Sequence, residues 1–287
     1  VSELKLGLVL AGGGVAGIAW ETGVLSGIED AAPETAAALL AADVLVGTSA
    51  GSTVAAQIAG GVSLRELFEI QTAEETAEIE PNVDAERLGQ MFVDAIDGAS
   101  ERVEQLKSLG AAALDADTVE PARRRAVIEA RLSDCRWTDR ILRIPAIDAA
   151  TGELTVFEHG SGVDLIDAVG ASCAVPGVWP TVTIDGSRYM DGGMGSGSNL
   201  QLAHDCDAVV VLSPAEDPGV HLLGGSLRDE IDSMSGTSVL AVFADEAVID
   251  AIGPNSLSPA TRRPAAELGR EQGRRIAREI TVFLAAA

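Results

Sequence analysis

Over the first sixty residues the apolar positions come in short blocks broken by glycine. Lys5 to Leu10 is an apolar run that stops at Ala11-Gly12-Gly13-Gly14, and Ile18, Leu25 and Ile28 then recur at helical spacing until Pro33. That pattern predicts a strand, a glycine loop and a helix. A second apolar run, Asp43 to Val46, leads through Gly47 to Gly51 into a helical stretch reaching Ile58. Two successive strand-to-helix units predict a layered α/β fold with parallel strands and right-handed crossovers.

The pattern changes between Ser63 and Leu132. Single apolar residues alternate with charged ones and helix formers dominate, so residues of about 63–132 read as a mostly helical insertion, with Pro81 and Pro121 near helix starts. Ile141 to Ile147 and Leu154 to Glu158 read as a hairpin turning near Thr151-Gly152. Val163 to Ala174 reads as a helix capped by Asp164. A second hairpin runs from Val182 to Ile184 through Asp185-Gly186 to Tyr189-Met190. Ala208 to Leu212 reads as a buried strand, and Asp229 to Ile252 and Pro264 to Leu284 as closing helices. The expectation is one domain over residues 1–287 carrying the helical insertion.

Composition narrows the function. The 20 basic and 44 acidic residues leave a net charge of −24, which repels phosphate backbones, and only 3% of residues are aromatic, too few for base stacking. No nucleic-acid partner is expected. Arg123 to Arg125 is the one basic cluster, and with Glu120 and Glu129 nearby it reads as a solvated helix face. Cys135, Cys173 and Cys206 are odd in number and fit no metal spacing, so no disulfide scaffold is expected. The uncharged runs Leu6 to Trp20 and Ala168 to Ile184 are cut by glycines and prolines, and no basic segment precedes an apolar stretch at the start. A cytoplasmic protein with at most transient contact at a membrane surface is expected. Asp205-Cys206-Asp207 is too short for a calcium loop, and no metal or cofactor is called for.

Three blocks carry candidate chemistry. Gly47-Thr48-Ser49-Ala50-Gly51 follows a strand and opens a helix, the setting of a nucleophile elbow. A serine there projects its hydroxyl off the sheet, small neighbours avoid clashes, and the helix start directs free N–H groups at a developing oxyanion. Gly12-Gly13-Gly14-Val15-Ala16-Gly17 exposes backbone amides. A dinucleotide turn would use a different spacing and an acidic residue ending the next strand, whereas Asp43 precedes its strand. Asp191, followed by Gly192 and Gly193, is either a turn former or the base that a serine requires. His159, His204 and His221 have no distinctive setting.

In their order these blocks, together with Ala171-Ser172-Cys173-Ala174-Val175-Pro176-Gly177 and Pro180, resemble the patatin-like phospholipase family over about residues 5–193. The resemblance implies a three-layer α/β/α fold with a mainly parallel central sheet. It also implies a Ser49–Asp191 dyad without histidine, and an oxyanion hole from the amides of Gly13 and Gly14, joined by Ala50. The implied activity is hydrolysis of fatty acyl esters through an acyl-enzyme, with a lipid or other fatty acyl ester as partner. An acyltransferase or thioesterase on the same serine, or a non-catalytic lipid-binding protein, are the alternatives. One position departs from the family: Ala16 stands where it usually has Arg or Lys, which favours a neutral acyl ester over a phospholipid. Leu67, Phe68, Met91, Phe92 and Ile96 are candidates to line an acyl pocket or to pack the insertion onto the core. Trp20 is expected as a packing anchor, and Trp179 as a pocket-wall candidate.

Overall fold

A computed structural model describes residues 4–81, 85–219, 223 and 225–287. The first units form as their pattern dictates: β1 (Leu6–Leu10), α1 (Gly14–Ala31), α2 (Pro33–Leu40), β2 (Val44–Gly47) and α3 (Ala50–Ala59). Four helices follow, α4 (Leu64–Thr72), α5 (Ala85–Asp97), α6 (Arg102–Asp115) and α7 (Pro121–Leu132). Pro121 opens α7 at a position where a missing N–H removes no helical bond. The chain then lays down β3 (Ile141–Asp148), β4 (Leu154–Phe157), α8 (Leu165–Ser172), β5 (Val182–Ile184) and β6 (Ser187–Asp191). Asp164 caps α8, its carboxylate accepting from the Ile166 amide at 2.8 Å.

The last third departs from expectation. Asp229 to Ile252 reads as one helix, but it holds α9 (Leu227–Ser233), β8 (Ser238–Phe243) and α10 (Glu246–Ile252), preceded by β7 (Ala208–Ser213) and followed by α11 (Arg262–Ala286). The misreading has a local cause. Ser238-Val-Leu-Ala-Val-Phe has no glycine or proline of its own, and as an edge strand it leaves several of its apolar side chains half-buried. Its parallel pairing with β7, Ala208 opposite Ser238 through Ser213 opposite Phe243, decides the matter.

The eight strands form one sheet in the order β5-β6-β3-β2-β1-β7-β8, with β4 beside β3. β3, β2, β1, β7 and β8 run parallel, and β4, β5 and β6 add antiparallel pairs. Helices cover both faces, so successive strand residues are buried on opposite sides: Leu8 and Leu10 of β1 pack with the α1 side, and Val9 packs toward Leu200, Ala203 and α9. This is a three-layer α/β/α arrangement around a largely parallel sheet. On the larger face α1 and α11 touch backbone to backbone. A Cβ on Gly27 would sit 2.1 Å from the Arg270 carbonyl oxygen, and one on Gly273 would sit 2.1 Å from that of Val24. Trp20 is fully buried at this contact and donates its indole N–H to Gln272 Oε1 at 2.9 Å.

Candidate active site

β1 and β2 are adjacent and parallel, and their register sets Leu10 opposite Gly47. Both therefore end at the same rim, and the loops that follow, Ala11–Gly13 and Thr48–Ser49, lie side by side outside the carboxyl ends of the strands. The turn at Ser49 is strained, with φ 51° and ψ −113°, a left-handed region costing a non-glycine residue about 1–3 kcal/mol. Its surroundings hold it there. The Ser49 amide donates to Ser172 Oγ at 3.0 Å, and its carbonyl accepts from Ser52 Oγ at 2.6 Å and Cys173 Sγ at 3.1 Å. Gly51 allows the tight passage: a Cβ there would lie 2.0 Å from the Leu10 carbonyl oxygen.

Asp191 reaches the same point from β6. Its position is fixed by pairing opposite Ala146 of β3 and by its amide, which donates to the Ala174 carbonyl at 2.9 Å. Ser49 Oγ donates to Asp191 Oδ2 at 2.7 Å across 142 positions of sequence, and the Gly193 amide donates to Oδ1 at 2.7 Å. Asp191 is 1% exposed. Burial pushes its carboxyl up to about 7, against the hydrogen bonds from Ser49 and Gly193 and the charge of Arg124. The carboxyl thus ionises near neutral pH, where it can exchange a proton with the hydroxyl it contacts.

The glycine loop supplies donors. Gly12 is engaged, its amide bonding to the Gly197 carbonyl at 2.8 Å, while the amides of Gly13, Gly14 and Ala50 donate to none of the described residues. Gly14 has φ +65°, and a Cβ there would press to 2.8 Å from the Ser256 carbonyl oxygen, so glycine suits this position. Gly17 packs between Ala50 and Pro214, and a Cβ on Gly47 would lie 2.5 Å from the Gly51 carbonyl oxygen. On the far side a Cβ on Gly192 would lie 2.3 Å from the Pro145 carbonyl oxygen. Thr48 Oγ1 and Asn199 Nδ2 join at 3.0 Å, tying the elbow to the segment after Asp191.

Above Ser49 the space is small. A cavity of about 10 Å³ is bounded by Gly14, Val15, Ser49, Ala50, Cys173 and Val175, and by Arg124, Arg131, Trp179 and Leu257. That volume holds roughly one water molecule. Its roof hangs on side-chain contacts. Arg131 pairs with Glu78 at 2.7 and 2.8 Å, both groups about nine-tenths buried. Burial opposes ionisation of Glu78, but the Arg131 guanidinium outweighs it and holds the carboxyl below its usual range. Glu80 accepts from Ser258 Oγ at 2.8 Å, which links the 73–81 segment to the loop bearing Leu257.

One expectation is corrected here. Arg124 is no solvated helix face: it is 6% exposed, with its guanidinium 4.0 Å from the Trp179 ring centroid. The reason is periodicity, since Arg124, Val127, Ile128 and Arg131 share one side of α7, and this stripe was the signal available in the sequence. Ala16 is fully buried, and the cations that border the cavity come from α7. Ser172 and Cys173 also gain roles that the sequence had given them only as part of a shared block. His159 and His204 are exposed and neither borders this cavity, and His221 lies outside the described residues. Trp179 does border it. In the insertion, Leu67 and Phe92 are buried in packing, Phe68 lies under Arg270, and Met91 lines a separate cavity of about 370 Å³. Among the described residues no helix is long and apolar enough to cross a membrane, and no His, Cys, Asp and Glu side chains gather into a metal-binding group.

Two solved structures are similar to the chain. VipD from Legionella pneumophila aligns at a TM-score of 0.46 and 11% identity, covering 96% of this chain and 67% of that one. The type III effector protein ExoU aligns at a TM-score of 0.41 and 17% identity, covering 96% of this chain and 53% of that one, so this chain spans about half its length. No curated protein sequence matches the chain. The family model described as patatin-like phospholipase matches residues 8–204, a span that takes in the glycine loop, the Ser49 turn and Asp191. The chain therefore belongs to the patatin-like phospholipase family, a family of hydrolases.

Proposed function

We propose that the protein is a serine acyl hydrolase that cleaves fatty acyl esters with Ser49 as nucleophile and Asp191 as its base. The observation that carries this reading is the 2.7 Å hydrogen bond from Ser49 Oγ to a buried carboxyl whose ionisation falls near neutral pH. Ser49 Oγ bonds to the ester carbonyl carbon as its proton passes to Asp191 Oδ2. The resulting oxyanion is held by the amides of Gly13, Gly14 and Ala50, the last at the positive end of α3. The Ser49 amide is occupied by Ser172 and takes no part. Collapse expels the alcohol, which leaves with the proton from Asp191. Water then attacks the acyl-enzyme, giving its proton to Asp191, and the freed acid departs as Ser49 recovers its hydrogen.

The reading extends to one patatin-like domain with residues 63–132 as its insertion, and to a cytoplasmic hydrolase meeting lipid at a membrane surface. Because the cavity over Ser49 is about 10 Å³, an acyl group enters only when the roof formed by Arg124, Arg131, Trp179 and Leu257 moves. The test is ester turnover and fluorophosphonate labelling across a chain-length panel of p-nitrophenyl and acylglycerol esters. Ser49→Ala is expected to lose both, and Asp191→Ala to lose turnover. Retention of labelling and turnover in purified Ser49→Ala protein would refute the assignment.

A further inference from the structure

Helix α7 carries an arginine that the ester chemistry above leaves without a task. Arg124 is 6% exposed, and its Nη1 is buried with no hydrogen-bond acceptor. Among the described residues its side chain makes neither a hydrogen bond nor an ion pair, and its close contact is the face of Trp179. The neighbouring cations are committed. Arg131 is held by Glu78, and Arg125 lies 3.3 Å from both Glu129 and Asp167. Glu78 and Asp191 act on it only through their charge, and a desolvated guanidinium without a hydrogen-bonded anion is unfavourable, which a ring face compensates only in part.

The location of Arg124 indicates what would complete it. The residue belongs to the walls of two spaces, the small cavity over Ser49 and a groove of about 330 Å³ between α7 and the α8–β5 stretch. Ile128, Ile166, Pro180 and Val182 make apolar walls in that groove, and Arg188 stands at it, bonded to the Thr181 hydroxyl. Apolar walls around a few placed charges suit a small amphiphile bearing an anionic group. The strongly negative surface elsewhere makes such a local cation the more selective.

We infer that Arg124 and the groove it borders bind an anionic oxygen group, a phosphate or a carboxylate, that accompanies the acyl ester beside Ser49. Its placement next to the ester rests on the serine reading, whereas anion binding itself does not. The test uses two monomeric esters of equal chain length, p-nitrophenyl hexanoate and the mono-p-nitrophenyl ester of adipic acid, which ends in a carboxylate. Wild-type protein is expected to favour the charged ester. Arg124→Met is expected to lower the ratio of their kcat/KM values by about 10–100-fold, with partial recovery in Arg124→Lys, which keeps charge but not the planar fork. Inorganic phosphate provides the second arm. In wild-type protein it is expected to bind at millimolar concentration by calorimetry and to slow fluorophosphonate labelling. Ester preference identifies the anion as part of the substrate, and phosphate binding without ester preference identifies a free anion. The inference is overturned if wild-type protein neither prefers the charged ester nor binds phosphate, or if a folded Arg124→Met variant retains both properties. The wild-type arms need no variant to fold. Phosphate calorimetry on Ser49→Ala protein keeps the outcome separate from the fate of the serine reading.

Discussion

The floor and the roof of the site are built by different means. The floor, meaning the Ser49 turn, Asp191 and the glycine loop, is set by strand register and by backbone bonds such as Thr48 N to Leu10 O at 3.0 Å and Asp191 N to Ala174 O at 2.9 Å. Side chains of Ser172, Ser52 and Cys173 hold only the Ser49 turn itself. The roof, meaning α7, the 73–81 segment and the loop at Leu257, is joined by the Arg131–Glu78 pair, the Glu80–Ser258 bond and the Arg124–Trp179 stack. Side-chain links of this kind open locally at a fraction of the global unfolding free energy. Under the proposed function the contrast divides the labour: parts that must meet at hydrogen-bond distance sit on strand ends, and parts that must yield sit on helices tied down at a few points.

The sharpest way to break the floor is Gly51→Ala. Its methyl group would lie 2.0 Å from the Leu10 oxygen and 2.4 Å from the Leu10 carbon, both main-chain atoms, so the variant is expected not to fold. Circular dichroism and thermal melting check this, and a wild-type melting temperature would refute the close approach. Asp191→Asn comes next. It is expected to lower kcat by about 10²–10⁴, the range for loss of a general base.

The same variant has a pH signature. The folded Asp191 carboxyl titrates near 7, above the ordinary 3.8, so the folded state prefers the protonated acid. Its stabilising contribution is full below the unfolded value and is lost as pH rises through about 7. The melting temperature of Asp191→Asn relative to wild type should therefore climb between about pH 4 and pH 7 and level off above that, while wild-type turnover rises through about pH 7. A pH-independent difference would remove the buried-carboxyl argument.

The roof is probed by Glu78→Gln, which leaves Arg131 buried without its counter-charge. A loss of about 3–5 kcal/mol in urea denaturation is expected, together with faster fluorophosphonate labelling as the roof loosens. Slower labelling would show that the pair is no part of the barrier. The smallest effect expected is that of Ser172→Ala. It removes the acceptor for the Ser49 amide, costing about 1 kcal/mol of stability, and lets the strained turn relax with a fall in kcat. Unchanged kcat would mean that Ser52 and Cys173 hold the turn alone.

The sequence was most legible where backbone geometry restricts residue choice. β1, α1, β2 and α3 fall within a residue or two of their apolar runs, because glycine or proline punctuates most of the boundaries. Ser49 stood out since a strand-to-helix turn demands small neighbours, whereas Asp191, which could equally form a turn, stood out through the family resemblance. β8 was hidden because Ser238 to Phe243 lies between two helix-forming stretches, and its pairing with β7 is a tertiary fact. Arg124 and Arg131 were hidden for a related reason. Arginine on a helix ordinarily faces water, and only the apolar company of Val127 and Ile128 marked that side as inward. The role of Glu78 had no local mark at all, since it depends on a partner 53 positions away.

The glycine interlock between α1 and α11 has a practical meaning for anyone cutting or extending this polypeptide. The family match ends at residue 204, yet α1, whose first turn offers the Gly14 amide, is braced along its length by a helix that begins at Arg262. The aim of the donors is thus set from the distal end of the molecule. A fragment trimmed to the recognised motifs would keep Ser49, Asp191 and the glycine loop and lose the helix that braces α1.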